Sequence, residues 1–201
     1  MAIKEKYVRL RGTPITAAKM KEIANDAGNI TIIAGGKTSV KAFEADVAGC
    51  NTIKVPALLV QSRGLIDFVY VDTPFTFKNE MWAYSCDNPI SVRYLYHVLE
   101  NDIDYFRKAA SGMGSMPQIS LSVTEDYVIP FPPLEVQKEI VRILDSFTEL
   151  TAELTAEYTA RKKQYEFYRD KLLSSLMHRF DNKGFTGCLP RELRRVPSGP
   201  W

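Results

Sequence analysis

The 201-residue chain is 45% hydrophobic, enough apolar material for one medium domain with an appendage or for two small domains. Its 26 basic and 24 acidic side chains leave a net charge of +2, too little to announce a polyanionic partner by charge alone. The basic opening MAIKEKYVRLRG runs into no apolar segment, and no stretch of about 18 uncharged apolar residues occurs, so neither a signal peptide nor a membrane span is expected and the expected location is the cytoplasm.

Residues 1–129 read as an α+β domain with one compact core. TAAKMKEIA is a first helix behind Thr16 as N-cap, with Met20, Ile23 and Ala24 on its inner face. Short apolar runs follow, NITIIAGG, NTIKVPALLV, GLIDFVYV and PFTF, punctuated by Gly, Pro, Asn and Asp in the manner of strands and turns. SVRYLYHVLENDIDYFRKAASG is a second helix, starting behind Ser91 and ending at Gly112. Its buried stripe is Tyr94, Leu95, Val98, Leu99, Ile103 and Phe106, leaving Arg93, Glu100, Asp104 and Lys108 toward water.

The texture changes at VIPFPPLEVQKEIVRILDSF. Pro130 and Pro132 bias the residues before them to extended backbone, and Pro133 suits the first helical turn, where its missing N–H costs little. From Leu134 to about Phe180 there is no Gly or Pro, so residues 130–180 are expected to be dominated by one long helix. Ile140, Ile143, Phe147, Leu150 and Leu154 recur at steps of three and four, the spacing of a coiled-coil seam. After a four-residue slip, Tyr158, Tyr165, Tyr168 and Leu172 continue it. Such a helix reaches about 70 Å at 1.5 Å per residue, beyond what a small domain covers. The chain offers no second helix of that length, so self-association along these nine residues is the economical expectation. Residues 181–201 read as a poorly ordered basic tail in which Arg191, Arg194 and Arg195 are candidate phosphate contacts.

Several chemistries find no support. IAGGKTSV lacks the upstream glycine of a phosphate-binding loop. The two histidines, His97 and His178, sit within helices with no nucleophile motif nearby, and His97 reads as a helix-face residue. Glu149, Glu153 and Glu157 form a solvated flank at i, i+4, i+8. Cys50, Cys86 and Cys188 lack metal-site or disulfide spacing. No catalytic residue, metal or cofactor is expected.

The order GNITIIAGGKTSVKAF, NTIKVPALLVQSRGLIDFVYVDTPFTF, SVRYLYHVLEN, GMGSMPQIS, VIPFPPLEVQKEIVRILDSFTELTAEL and RKKQYEFYRDKLLSSL resembles the DNA-specificity subunit of type I restriction-modification systems over nearly all of residues 1–180. IPFPPLEVQKEIVRILD and RKKQYEFYRDKLLS carry the most specific part of the likeness, that family's conserved helical region. The resemblance implies a target recognition domain that binds double-stranded DNA, partnered by methyltransferase subunits and a restriction subunit that hold the enzymatic activity. Members usually carry two recognition domains and two antiparallel helices, whereas one of each is present here. A homodimer of such halves, reading a split palindrome, is the expectation. The polar loops offer the base-reading candidates, since their counterparts in the family tend to face DNA: Lys37, Thr38, Ser39 and Lys41; Gln61, Ser62 and Arg63; Ser111, Ser115 and Gln118. Two other readings stay open, a coiled-coil scaffold that touches no nucleic acid and a silent specificity cassette.

Overall fold

The computed structural model describes residues 1–36, 38–47, 49–110 and 116–181, with side chains to residue 175. The expected tail and the expected helix end at Gly112 lie outside these residues. The α+β expectation holds: the described residues combine two sheets, five short or medium α-helices, a 3₁₀ turn at Glu44–Val47 and one long helix that ends them. It divides into two compact units, Met1–Ser146 and a second beginning at Phe147.

In the first unit one sheet is antiparallel throughout, in the order β1 (Val8–Arg11), β7 (Trp82–Ser85), β4 (Ala57–Gln61), β5 (Asp67–Val71). The other has β2 (Ile30–Ile33) at its centre, antiparallel to β3 (Ser39–Ala42) and parallel to β6 (Phe75–Phe77). The central strand β4 explains the stacking. Every residue of ALLVQ is buried, because the strand is covered on both faces and so reads as a continuous apolar run. Leu58 and Val60 join a core with Val92, Leu95, Leu99 and Phe106 of the helices, whereas Ala57 and Leu59 meet Ile33, Phe75 and Phe77 of the second sheet. On the far side of that sheet Ile30, Ile32 and Ala42 pack against Met20 and Ile23. The layers therefore run helices, sheet, sheet, helix.

Two helices depart from their expected form. α1 (Ile3–Lys6) precedes β1, and α2 (Ala17–Glu22) starts behind Thr16, whose hydroxyl accepts the Lys19 N–H at 3.2 Å. Met20 and Ile23 are buried there, but Ala24 is exposed. The second expected helix is two. α3 (Pro89–Asn101) is capped by Asn88, whose carbonyl Oδ1 accepts from Ile90 N at 2.9 Å, with Pro89 in the first turn. Ser91, taken as the cap in the sequence, is buried one turn inside. The run breaks at Asp102 and resumes as α4 (Ile103–Ala109), because the Asp102 carboxylate accepts the Tyr127 hydroxyl and ties the chain to the segment before the elbow. Burial, with that carboxylate beside it, pushes the Tyr127 hydroxyl up to about 12.

α5 (Leu121–Glu125) precedes the elbow, and α6 (Leu134–Asp181) follows it for 48 residues. Pro133 lies one position before the helix, not in its first turn, and its carbonyl accepts the Val136 and Gln137 N–H groups at 3.0 and 3.1 Å. The proline thus serves as the cap, a position that also needs no N–H of its own.

Gly28 sits where the turn entering β2 passes the end of β3. A Cβ there would lie 2.4 Å from the backbone N, C and O of Ala42, none of which can rotate away. Gly28→Ala is expected to destabilise the first unit by about 1–3 kcal/mol or more, as overpacking does. Thermal unfolding should show a midpoint lowered by several degrees.

Candidate nucleic-acid interface

Strand order brings together loops that are far apart in sequence. The β2–β3 turn, the β4–β5 loop, the β6–β7 loop and the segment at Met116 open onto one depression of about 320 Å³, lined by Gly35, Gly36, Arg63, Lys78, Glu80 and Met116 among others. The loops are pinned to each other by backbone. Gly64 N donates to Pro117 O at 2.8 Å and Ile119 N to Ser62 O at 3.0 Å, around a bridge between Arg63 and Gln118. Lys78 N donates to Ile33 O at 3.1 Å, which ties the third loop to the first. Gly36 and Gly64 carry φ of 70° and 77°, a region only glycine enters without strain, so both turns reverse tightly and hold their backbone close to the depression.

The lining joins the apolar Ala34, Leu65, Met81 and Met116 to charged side chains of both signs. Lys78 pairs with Glu80 at 3.3 Å, and the Ser62 hydroxyl donates to Glu80 O at 2.9 Å. The Arg63 side chain is exposed and makes no ion pair among the described residues. A fork of five donors on the rim of a depression, with its length free to extend, is the group suited to a guanine edge or a phosphate.

The expected DNA-facing residues fall into several places. Arg63 lies on the rim with Gln118 paired to it through a backbone bridge, and Thr38 is exposed at the base of the first turn, where its carbonyl accepts Ala34 N at 2.8 Å. Ser39 and Lys41 belong to strand β3, not to a loop, and line a different depression with Asn25, Asp26 and Thr31. Gln61 and Ser62 are buried, at 2% and 0% exposure, because β4 continues through Gln61 into the core. Neither side chain is exposed in this conformation; the Ser62 hydroxyl donates to the Glu80 carbonyl of the β6–β7 loop instead. Lys37, Ser111 and Ser115 lie outside the described residues. Lys78 and Glu80 were missed in the sequence because they follow β6 directly, in a stretch with no turn signal stronger than Asn79.

A second feature lies on α6. Gln137 and Val141 are buried in the first unit, and Asp145, one further i+4 step along, is half-buried and bonded to α3. The expected seam lies about 140° away around the axis at 100° per residue. Ile143, Phe147, Leu150, Leu154, Tyr158, Tyr165, Tyr168 and Leu172 are all exposed, Phe147 at 63%; Ile140 is half-buried. Phe167 and Leu173 are also exposed, off the expected line. Within the second unit, residues 149–160 read ELTA, ELTA, EYTA. The hydroxyls of Thr151, Thr155 and Thr159 each donate to the carbonyl four residues back, at 2.7, 2.7 and 2.9 Å. A four-residue repeat overshoots a 3.6-residue turn by roughly 40° per step, which is the physical origin of the slip at Tyr158.

Among the described residues no group of three His, Cys, Asp or Glu side chains is placed to hold a metal ion, and no helix is long and apolar enough to cross a membrane.

Comparison with known proteins gives a consistent result. Residues 11–161 match the family model described as the type I restriction modification DNA specificity domain. The chain is similar to the specificity subunit of the type I restriction enzyme EcoR124I/EcoR124II of Escherichia coli, 36% identical over 163 residues, which is 75% of this chain and 38% of that protein. Among solved structures it is similar to the S subunit of a type I restriction-modification system from M. genitalium, with a TM-score of 0.61 at 20% identity over 90% of this chain and 47% of that one. A chain from a structural study of assembly and conformational transition of a type I system aligns with a TM-score of 0.55 at 18% identity, over 94% and 46% respectively. The chain spans less than half the length of each of these three.

Proposed function

Because the chain belongs to the type I restriction modification DNA specificity family, we propose that it is the sequence-reading component of such a system, acting in the cytoplasm as a homodimer of half-subunits. Residues 1–129 form the recognition domain, and residues 130–180 form the helix that pairs with a second copy and spaces the two readers. Methyl transfer and cleavage belong to the methyltransferase and restriction subunits it directs. The chain itself contributes no catalytic group.

The observation that carries the dimer is the seam on α6 together with the charge along it. Residues 134–160 hold six acidic and two basic side chains, whereas residues 161–181 hold six basic and three acidic ones. An antiparallel partner of identical sequence sets the acidic half of each helix against the basic half of the other; a parallel partner sets like against like. The charge changes sign between Glu157 and Arg161, so the two-fold axis falls near residue 159. Two identical readers related by that axis meet the duplex in opposite orientations, and their target is a palindrome split by a fixed gap.

Methylome sequencing with and without the gene, joined to light scattering of the chain alone and with its methyltransferase subunits, tests this reading. Two copies per complex and a bipartite palindromic motif are expected. One copy per complex with an asymmetric motif would overturn it.

A further inference from the structure

We infer that Asn79, in the turn between β6 and β7, reads an adenine of the target, and that Arg11 holds a phosphate beside it, in a second depression that adjoins the first across that turn. The inference deepens the DNA-reading proposal above and rests on it, but not on the dimer.

Residues 78–81 lie between two depressions. Lys78 and Glu80 line the one that holds Arg63, whereas Asn79 lines another, of about 280 Å³, with Arg9, Arg11, Gly12, Trp82 and Leu121. Met81 lines both. Successive side chains of the turn therefore serve different depressions.

The turn is a loop by connectivity but not by freedom. Thr13 N donates to Phe77 O at 2.6 Å, Asn79 N to Thr13 O at 3.1 Å, and Met81 N closes the turn on Lys78 O at 3.1 Å. With the bonds from Lys78 N to Ile33 O and from the Ser62 hydroxyl to Glu80 O, each of its four residues has a bonded backbone group. Gly12 permits this approach: a Cβ there would stand 2.5 Å from Phe77 O and 2.7 Å from Lys78 O. The end of β1 is fixed in the same way, by Asn51 Nδ2 donating to Gly12 O at 3.1 Å.

On that backbone two polar side chains are unused. Asn79 and Arg11 are exposed, and the side chain of neither makes a hydrogen bond or ion pair among the described residues. The other cation of the depression, Arg9, is paired with Glu125 at 3.5 Å, so Arg11 supplies its one uncompensated charge among those residues. A carboxamide presents an acceptor and two donors, the pattern that matches N6 and N7 of adenine in the major groove. Because the backbone of Asn79 is already held, only a short side chain is ordered on contact. A guanidinium without a carboxylate partner, rising from the strand beside the turn, suits a phosphate, and phosphate contacts set register where base contacts carry sequence.

Asn79→Ala, Asn79→Asp and Arg11→Ala are each expressed with the methyltransferase subunits, and binding of the complex is measured on duplexes varied one base pair at a time, across a salt series. Asn79→Ala should lose about five- to hundredfold of the discrimination for one A·T pair, with the other positions and the salt slope unchanged. Asn79→Asp keeps the shape but loses the donor to N7, and should penalise the same adenine. Arg11→Ala should weaken all sequences alike and lower the salt slope by about one. Thermal midpoints should match the wild type, since neither side chain holds the fold. Equal loss on every duplex for both Asn79 variants, or no change in either, overturns the adenine assignment; relaxation at a single position by Arg11→Ala overturns the phosphate assignment. A lowered midpoint in all three variants overturns both, since the residues are then structural. If Arg63→Ala relaxes the motif while the Asn79 variants leave it intact, this inference fails and the specificity reading stands. A wild-type complex without sequence preference overturns that reading and this inference together.

Discussion

Phe147→Glu combined with Leu154→Glu is expected to convert the chain to a monomer without unfolding its recognition domain. Both side chains are exposed on the isolated chain, so charge there costs the monomer little. In the paired state each becomes a charge on the apolar seam, set against the partner's seam side chains and not on the charged flank. A buried unpaired charge costs about 3–5 kcal/mol. The two-fold doubles every substitution, so even half of the summed cost raises the dissociation constant by on the order of 10⁴ or more. Sedimentation should report a single copy, and the helical circular dichroism should fall, because a helix that loses its pairing partner keeps only its intrinsic propensity, which is marginal in water. The thermal transition of the first unit should stay in place. A dimer that persists would place the pairing surface elsewhere on the chain.

Arg63→Ala is expected to weaken binding to the cognate duplex by about 1–3 kcal/mol, roughly five- to hundredfold, and to relax the motif at one position of each half-site. The reason is geometric. Arg63 stands on the rim of a depression whose walls are fixed by backbone hydrogen bonds to Pro117 and from Ile119, so its guanidinium is free while its Cα is not. Lys78→Ala should act differently, weakening all sequences alike and lowering the salt slope by about one, since a lysine paired with Glu80 at 3.3 Å is a point charge suited to phosphate. Binding to duplexes varied one base pair at a time, across a salt series, separates the two. Equal loss on every sequence for Arg63→Ala would reassign it to the phosphate backbone.

Much of the fold was legible because its signals are local. The cap at Thr16, the strand runs around Ile32, Leu59, Phe68 and Phe75, and the long helix beginning after three prolines all follow from short-range propensity and periodicity. The short edge strands β1 and β3 were harder. VRLR and SVKA are polar four-residue segments, and β3 became a strand only because its backbone pairs with β2. The break at Asp102 escaped notice because IDYFRKA continues the helical period; a distant tyrosine decides it.

The candidate site was legible only in part, for the same reason. Arg63 and Gln118 are neighbours because an isolated backbone bridge folds residue 118 back on residue 63, a contact across 55 positions that no spacing announces. Gln61 and Ser62, adjacent to Arg63 and equally polar, are buried because the centre of a sheet covered on both faces extends to them. One-dimensional polarity does not distinguish the last residue of a buried strand from the first of a loop.

The amino-acid order by itself determined that this chain carries a mixed α+β domain, a proline-rich boundary and a long helix with an apolar stripe, since each depends on interactions within a turn or two of backbone. Tertiary structure alone decided which loops meet, which of the polar candidates stay accessible, and that Arg93 and His97 turn from solvent to Asp145. Those outcomes depend on which distant surfaces cover one another, a property of the packed layers and not of any single segment.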